Sequence, residues 1–246
     1  KKFNTGLYYF NFLKKILIII PAFNEALNIQ GLVRSFKDYT NNWDLLIIND
    51  GSTDSTEKIV KELGVKVINL PFNLGIGGSV QTGFKYAKKY GYDYALQFDG
   101  DGQHRINEIE TMVSEIKKKD YEVVIGSRFL NKYKGYKTTR LRRIGIKIFE
   151  LLIWGLVKQK ITDTTSGFRA YNKKTISFLA NNYPTDYPEP EAIIILKKNG
   201  FKIKEISSIM NKREKGESSL NMKGGFYMIK VSLAILMTYI RPRILW

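Results

Sequence analysis

With 246 residues, 43% of them hydrophobic and 26% charged, the chain is long enough for one large α/β domain and too apolar to be disordered. A balance of 40 Lys and Arg against 23 Asp and Glu gives a net +17, which attracts polyanions: nucleic acid, anionic lipid headgroups or phosphorylated substrates. The absence of cysteine excludes disulfides and thiolate metal sites, and the presence of one histidine excludes a His-rich zinc site.

Residues 1–15 read as a basic, aromatic N-terminal extension without the continuous apolar core of a signal peptide. Ile16 to Ile20 is a β-branched and Leu run, predicted as a buried strand and closed by Pro21. The P-A-F-N-E segment places a turn and a carboxylate, Glu25, at that strand's end. Ile29, Leu32, Val33 and Phe36 then recur at helical spacing. Leu45 to Ile48 predicts a second strand, ending in Asn49-Asp50-Gly51-Ser52. A helix capped within Thr53 to Thr56 follows and runs towards Leu63. Val65 to Leu70 predicts a third strand, and Asn73 to Gly78 opens a helix that continues to about Tyr90. The G-I-G-G here lacks a full G-x-G-x-x-G, so a dinucleotide site ranks low. Its glycines suit either phosphate contact or close packing of a helix start.

Tyr94 to Phe98 predicts a fourth strand, which delivers two carboxylates, Asp99 and Asp101, with Gln103 and His104 behind them. Glycines at 100 and 102 leave room for a ligand to approach the backbone. Oxygen ligands in this pattern suit a hard divalent cation, Mg²⁺ or Mn²⁺, although Asp and Gly also make ordinary turns. A helix is predicted on Ile106, Ile109, Met112, Val113 and Ile116, followed by a fifth strand, Val123 to Gly126, ending at Ser127-Arg128. Strands alternating with helices predict an α/β fold with a mostly parallel, doubly wound sheet. Ligands bind such sheets outside the strands' carboxyl ends. Glu25, Asp50, Asp99, Asp101 and Arg128 all fall there, which predicts one cleft.

Two later stretches bear on membranes. Ile144 to Val157 is apolar apart from Lys147 and Glu150 and reads equally well as a core helix. Phe226 to Ile240 is more apolar and is followed by Arg241 and Arg243. At ~1.5 Å per residue it falls short of a bilayer core of roughly 30 Å. An interfacial helix with a basic rim is expected, the alternative being a helix that packs back over the sheet.

The ordered set of P-A-F-N-E at 21–25, N-D-G-S-T-D at 49–54, N-L-G-I-G-G at 73–78 and D-G-D-G-Q-H at 99–104 resembles the family 2 glycosyltransferases of GT-A fold. G-S-R at 126–128, D-T-T-S-G-F-R-A-Y at 163–171 and R-E-K-G-E-S-S at 213–219 extend the likeness over nearly the whole chain, within the polyprenol-phosphate branch. The resemblance implies a catalytic domain over residues 16–220 and a membrane-associated segment over 221–246. It implies a nucleotide-sugar pocket lined by Pro21, Phe23, Glu25, Asp50, Gly75 and Gly77, with Asp99 facing the sugar nucleotide. Asp101 and Gln103 would hold Mg²⁺ or Mn²⁺. Arg128 would meet an acceptor phosphate, helped by Arg140, Arg142 or Arg143; Arg169 and Arg213 would lie near phosphates, and Glu191 on the acceptor side. Two departures stand out: Asn49-Asp50 where many relatives carry two aspartates, and Ile146 where a serine is common.

The implied activity is inverting sugar transfer from a UDP- or GDP-sugar to a polyprenyl phosphate at the cytoplasmic face of the plasma membrane, with a small membrane protein as a possible partner. A phosphate acceptor is already an anion and needs no strong base. The nearest rival is transfer to a saccharide or glycolipid hydroxyl, which needs a base such as Glu191 or Glu189. A nucleic-acid module ranks lower, because the lysines are scattered and no such motif occurs.

Overall fold

The structure, a computed structural model, describes residues 14–39, 43–100, 102–130, 140–211 and 224–244. Through these the chain forms β1 (Ile16–Ala22), α1 (Ala26–Asp38), β2 (Trp43–Asn49), α2 (Thr56–Glu62), β3 (Lys66–Asn69), α3 (Gly75–Lys89), β4 (Tyr94–Gln97) and α4 (Glu108–Lys117). It continues with β5 (Val123–Ser127), α5 (Arg140–Val157), β6 (Arg169–Asn172), α6 (Lys173–Asn182), α7 (Pro188–Lys198), β7 (Ile203–Ser207) and α8 (Gly224–Ile240).

The sheet order is β3-β2-β1-β4-β6-β5-β7. Among the described strands only β6 runs against the rest, antiparallel to both β4 and β5. The five predicted strands are present. β6 and β7 escaped the sequence reading because R-A-Y-N carries no apolar run and I-K-E-I-S is only partly buried. Helices cover both faces, which explains the continuous apolar run of β1. Leu17 and Ile19 face a core closed by α3, α5, α6, α7 and α8. Ile16, Ile18 and Ile20 face the core under α1 and α4.

The last helix packs back onto the core along one face and leaves the other outward. Val231 and Ile235 are buried in the core, and Thr238 donates to Glu191 Oε2 at 2.7 Å. Phe226, Ile229, Leu233, Leu236, Met237 and Ile240 remain exposed. On the neighbouring α5, Ile144, Ile148, Leu151 and Trp154 are exposed as well. Among the described residues no helix is long and apolar enough to cross a membrane.

Candidate active site

The carboxyl ends of β1, β2 and β4 bring the first motifs together. Asn24 N donates to Ser52 Oγ (2.9 Å), Glu25 N to Thr56 Oγ1 (3.0 Å) and Ala26 N to Asp54 Oδ2 (3.1 Å), while Asn24 Oδ1 accepts from Thr53 N (2.9 Å). Much of N-D-G-S-T-D thus holds the P-A-F-N-E loop in place. Phe23 is left 45% exposed, and Glu25 Oε2 accepts from Asn28 Nδ2. Asn49 is buried and donates to Asn69 Oδ1 at 2.9 Å, a bond that an ionised aspartate would be unable to donate. Buried Asp50 accepts from Leu74 N at 2.8 Å and so fixes the start of α3.

Of the two glycines expected at the nucleotide, Gly75 has φ +77° and open space beside its Cα. Gly77 does not: a Cβ there would stand 2.4 Å from Pro184 O. Close packing of α3 on the loop before α7 accounts for that glycine. The Pro21 carbonyl sits against Gly100, 2.9 Å from where a Cβ would be, which joins the end of β1 to the D-G-D loop.

Asp99 is held from behind. His104 Nε2 lies 3.1 Å from Asp99 Oδ2, and the imidazole stacks on Phe168 with centroids 4.9 Å apart. A Cβ on Gly167 would be 2.4 Å from Asp99 Oδ1, so the carboxylate occupies the space that glycine leaves. Burial pushes the Asp99 carboxyl upward, but the His104 hydrogen bond and the Arg128 and Arg169 charges outweigh it and hold the group below the usual carboxylate range. Gln103 Nε2 donates to Asn211 O (3.1 Å), and Gln103 O accepts from Asn211 N (2.8 Å). Asp101, Arg213 and the side chain of Arg140 lie outside the described residues. Among the described residues no group of three or more His, Asp or Glu is placed to hold a metal ion.

Arg128, at the end of β5, is clamped by buried Asp163. Nε donates to Oδ2 and Nη2 to Oδ1, both at 2.6 Å, and the main-chain N adds a third bond at 3.1 Å. Burial alone would raise the Asp163 pKa; the Arg128 charge and hydrogen bonds lower it overall. Glu205 accepts from the main-chain N of Thr162 and of Asp163, fixing that loop in turn. Nη2 also donates to Thr165 Oγ1 (3.0 Å) and Nη1 to Met210 Sδ (3.8 Å), so every nitrogen of the Arg128 fork has a protein partner. Beside it, Arg143 stacks on Phe129 with Cζ 3.8 Å from the ring centroid, and its Nη1 is buried without a partner among the described residues.

Arg169, expected near phosphates, is turned into the protein interior. It is fully buried, and its guanidinium donates to the carbonyls of Ser166, Thr164 and Glu189. Its charge acts on Asp99 and Asp163 through the interior. Glu191 is likewise structural in position, accepting from Tyr187 N (2.9 Å) and Thr238 Oγ1 (2.7 Å). The α7 carboxylate that feels the Asp99 charge is Glu189, two residues earlier. Burial, and to a smaller extent the Asp99 charge, push its pKa up to about 7 against the pull of Arg169. Asp163, Gly167 and Glu205 were not singled out from the sequence, although the first two sit in the D-T-T-S-G-F-R-A-Y motif, which supplied the signal.

The model of Glycosyl transferase family 2 matches residues 17–178. The chain belongs to this family. A UDP-N-acetylglucosamine–dolichyl-phosphate N-acetylglucosaminyltransferase of Methanococcus voltae is 35% identical over 78% of this chain and 84% of its own length. An undecaprenyl-phosphate mannosyltransferase of Micrococcus luteus is 27% identical over 66% of this chain and 68% of its own. Glucosyl-3-phosphoglycerate synthase from Mycobacterium tuberculosis, solved with Mn²⁺, UDP and glucosyl-3-phosphoglycerate, superimposes at a TM-score of 0.69. That pair is 16% identical, over 93% of this chain and 81% of the other, and shares the GT-A architecture.

Proposed function

We propose that this glycosyltransferase moves a sugar from a nucleotide diphosphate sugar, with UDP as the first candidate, to a polyprenyl phosphate at a membrane surface. The observation that carries the reading is the pairing of an ionised Asp99 at the end of β4 with Arg128 and Arg143 beyond β5: a carboxylate for the donor and guanidinium groups for an anionic acceptor. The relatives from Methanococcus and Micrococcus, named for dolichyl and undecaprenyl phosphate acceptors, support it. Arg143 Nη1 is the donor assigned to the acceptor phosphate, and Arg128, fixed by Asp163, supplies charge beside it. Glu25, Asp50 and Phe23 are proposed to line the nucleotide pocket.

In the chemical step an acceptor phosphate oxygen attacks the anomeric carbon, the bond from that carbon to the diphosphate oxygen breaks, and configuration inverts. The attacking oxygen is already anionic, so no proton has to be removed. Asp101 and Gln103 are proposed to hold a hard divalent cation beside the ionised Asp99, Gln103 being braced against Asn211. Such a cation, when bound, offsets the charge that develops on the leaving diphosphate.

The exposed apolar faces of α5 and α8, with Arg241 and Arg243 after the latter, are proposed to rest on the cytoplasmic face of an anionic membrane. A hydroxyl acceptor is the second reading, favoured by Glu189, whose pKa near 7 suits a general base. The test is a panel of UDP- and GDP-sugars incubated with undecaprenyl phosphate and Mn²⁺, then product masses. A polyprenyl phosphate sugar is expected; products formed only on saccharide or glycolipid hydroxyls would overturn the proposal.

A further inference from the structure

Behind the loops at the ends of β1 and β2, side chains form a hydrogen-bonded relay that runs in one direction. At its outer end Glu57, on α2, accepts from Asn69 Nδ2 at 2.9 Å and also receives Lys61 Nζ. Asn69 ends β3, and its Oδ1 accepts from Asn49 Nδ2 at 2.9 Å. Asn49 Oδ1 accepts in turn from Ser52 N at 3.3 Å, and Ser52 Oγ from Asn24 N at 2.9 Å. The relay therefore spans from the surface of α2 to the P-A-F-N-E loop. Asn69 is exposed, whereas Asn49 is buried. Main-chain bonds cross at the same point: Asp50 N donates to Ala22 O and Leu70 N to Asn49 O, both at 2.9 Å. Asn49 is thus where the ends of β1, β2 and β3 are joined.

The two ends of the relay set its polarity. An ionised carboxylate only accepts and a main-chain N–H only donates, so both amides between them must face the same way. Position 49 has to donate on one side and accept on the other. Asparagine does both; an ionised aspartate only accepts. An aspartate there would meet Asn69 Oδ1 with a second acceptor, and turning the Asn69 amide over would set its Oδ1 against Glu57 instead. Burial denies position 49 the relief of turning to water. The substitution would also place a second buried carboxylate next to that of Asp50.

We propose that Asn49 is a positioning residue for the nucleotide. Its relay to Glu57 and Ser52 keeps the loops that carry Asp50, Phe23 and Glu25 in their binding geometry, and does so only with an amide at position 49. The inference rests on the nucleotide-sugar reading above. Asn49 acts through those loops and takes no part in making or breaking the glycosidic bond.

The experiment measures binding of UDP and GDP by calorimetry, with KM and kcat for the nucleotide sugar, in the parent chain, Asn49→Asp, Glu57→Gln and the double variant. Asn49→Asp should weaken binding of the preferred nucleotide about tenfold and raise KM in proportion, with kcat little changed, because binding common to ground and transition states is what is lost. Glu57→Gln alone still offers an oxygen to Asn69 Nδ2 and should cost about threefold at most. In the double variant the new amide at position 57 can donate to a turned Asn69, whose Nδ2 then reaches the aspartate at 49, so most of the loss should be recovered. Asn69→Ala removes the acceptor at an exposed position and leaves no buried cavity. It should weaken nucleotide binding about fivefold, and it carries the test if Asn49→Asp does not fold. Thermal unfolding accompanies each variant. Parental nucleotide affinity in Asn69→Ala or in a folded Asn49→Asp, even with a lower melting temperature, makes the relay structural only and overturns the proposal. A folded double variant no better than Asn49→Asp overturns it as well. A parent chain that binds neither UDP nor GDP overturns the donor reading itself.

Discussion

Arg128 and Asp163 form a bidentate ion pair in which Asp163 is fully buried and Arg128 is 10% exposed. The pair joins the end of β5 to the loop preceding β6, with Glu205 fixing that loop from β7. Removing one member of such a pair strands a buried charge, which typically costs about 3–5 kcal/mol. Asp163→Asn is therefore expected to lower the melting temperature by several degrees and to abolish turnover. Arg128→Lys keeps the charge but not the fork, and should lose activity with a smaller loss of stability. Melting curves beside initial rates check both; Asp163→Asn with parental stability would remove the pair from the folding argument.

Gly167→Ala tests how Asp99 is held. The added Cβ would need the position now taken by Asp99 Oδ1, 2.4 Å away, so the carboxylate must rotate off His104. Nucleotide-sugar turnover is expected to fall about 100-fold or more, because displacement of a positioning group by about 1 Å has that cost. The chain should remain folded by circular dichroism. Near-normal turnover would show that Asp99 does not need this orientation.

Glu189 gives stability a definite slope with pH. Its folded pKa is about 7 against an ordinary value of 4.5, so between these values the folded chain binds more protons than the unfolded one. That contribution is fully present below about pH 4.5 and is lost as pH rises through about 7. The limit is on the order of 3 kcal/mol. Glu189→Gln should flatten the curve, becoming more stable relative to the parent at pH ~8 than at pH ~5. Urea unfolding at the two pH values measures this, and an identical pH dependence in both proteins would refute it.

The parts legible in the sequence were those whose physical cause is local. The Ile16 to Ile20 run could only be a strand buried on both faces, and Asp99 and Arg128 were placed by the strands that end at them. β6 was not legible because its residues look polar: Arg169 and Tyr171 are fully buried, but the strands they pair with, β4 and β5, lie far along the chain. The same cause hid Asp163, whose meaning depends on Arg128 35 residues away. Glu189 and Glu191 are both acidic residues in the first turn of α7. Thr238, arriving from α8, and Tyr187 N bind Glu191, whereas Glu189 is the one that feels the Asp99 charge.

The membrane reading needs a finer test than deletion of the last helix. Val231 and Ile235 are part of the core and Thr238 holds Glu191, so removing α8 would damage the fold itself. Its outward face can be changed alone. Leu233 is 56% exposed and Ile229 58%, so charges there meet water in the free protein and contribute little to stability. Against a bilayer the same two side chains would each bury apolar area worth about 1.5–3 kcal/mol. Ile229→Glu combined with Leu233→Glu should therefore weaken binding to anionic vesicles on the order of 100-fold or more. UDP binding and the circular dichroism spectrum should remain those of the parent. Flotation with phosphatidylglycerol vesicles measures the first, and raised salt should weaken parental binding if Arg241 and Arg243 assist. A folded double variant that floats like the parent would show that this face of α8 does not meet the membrane.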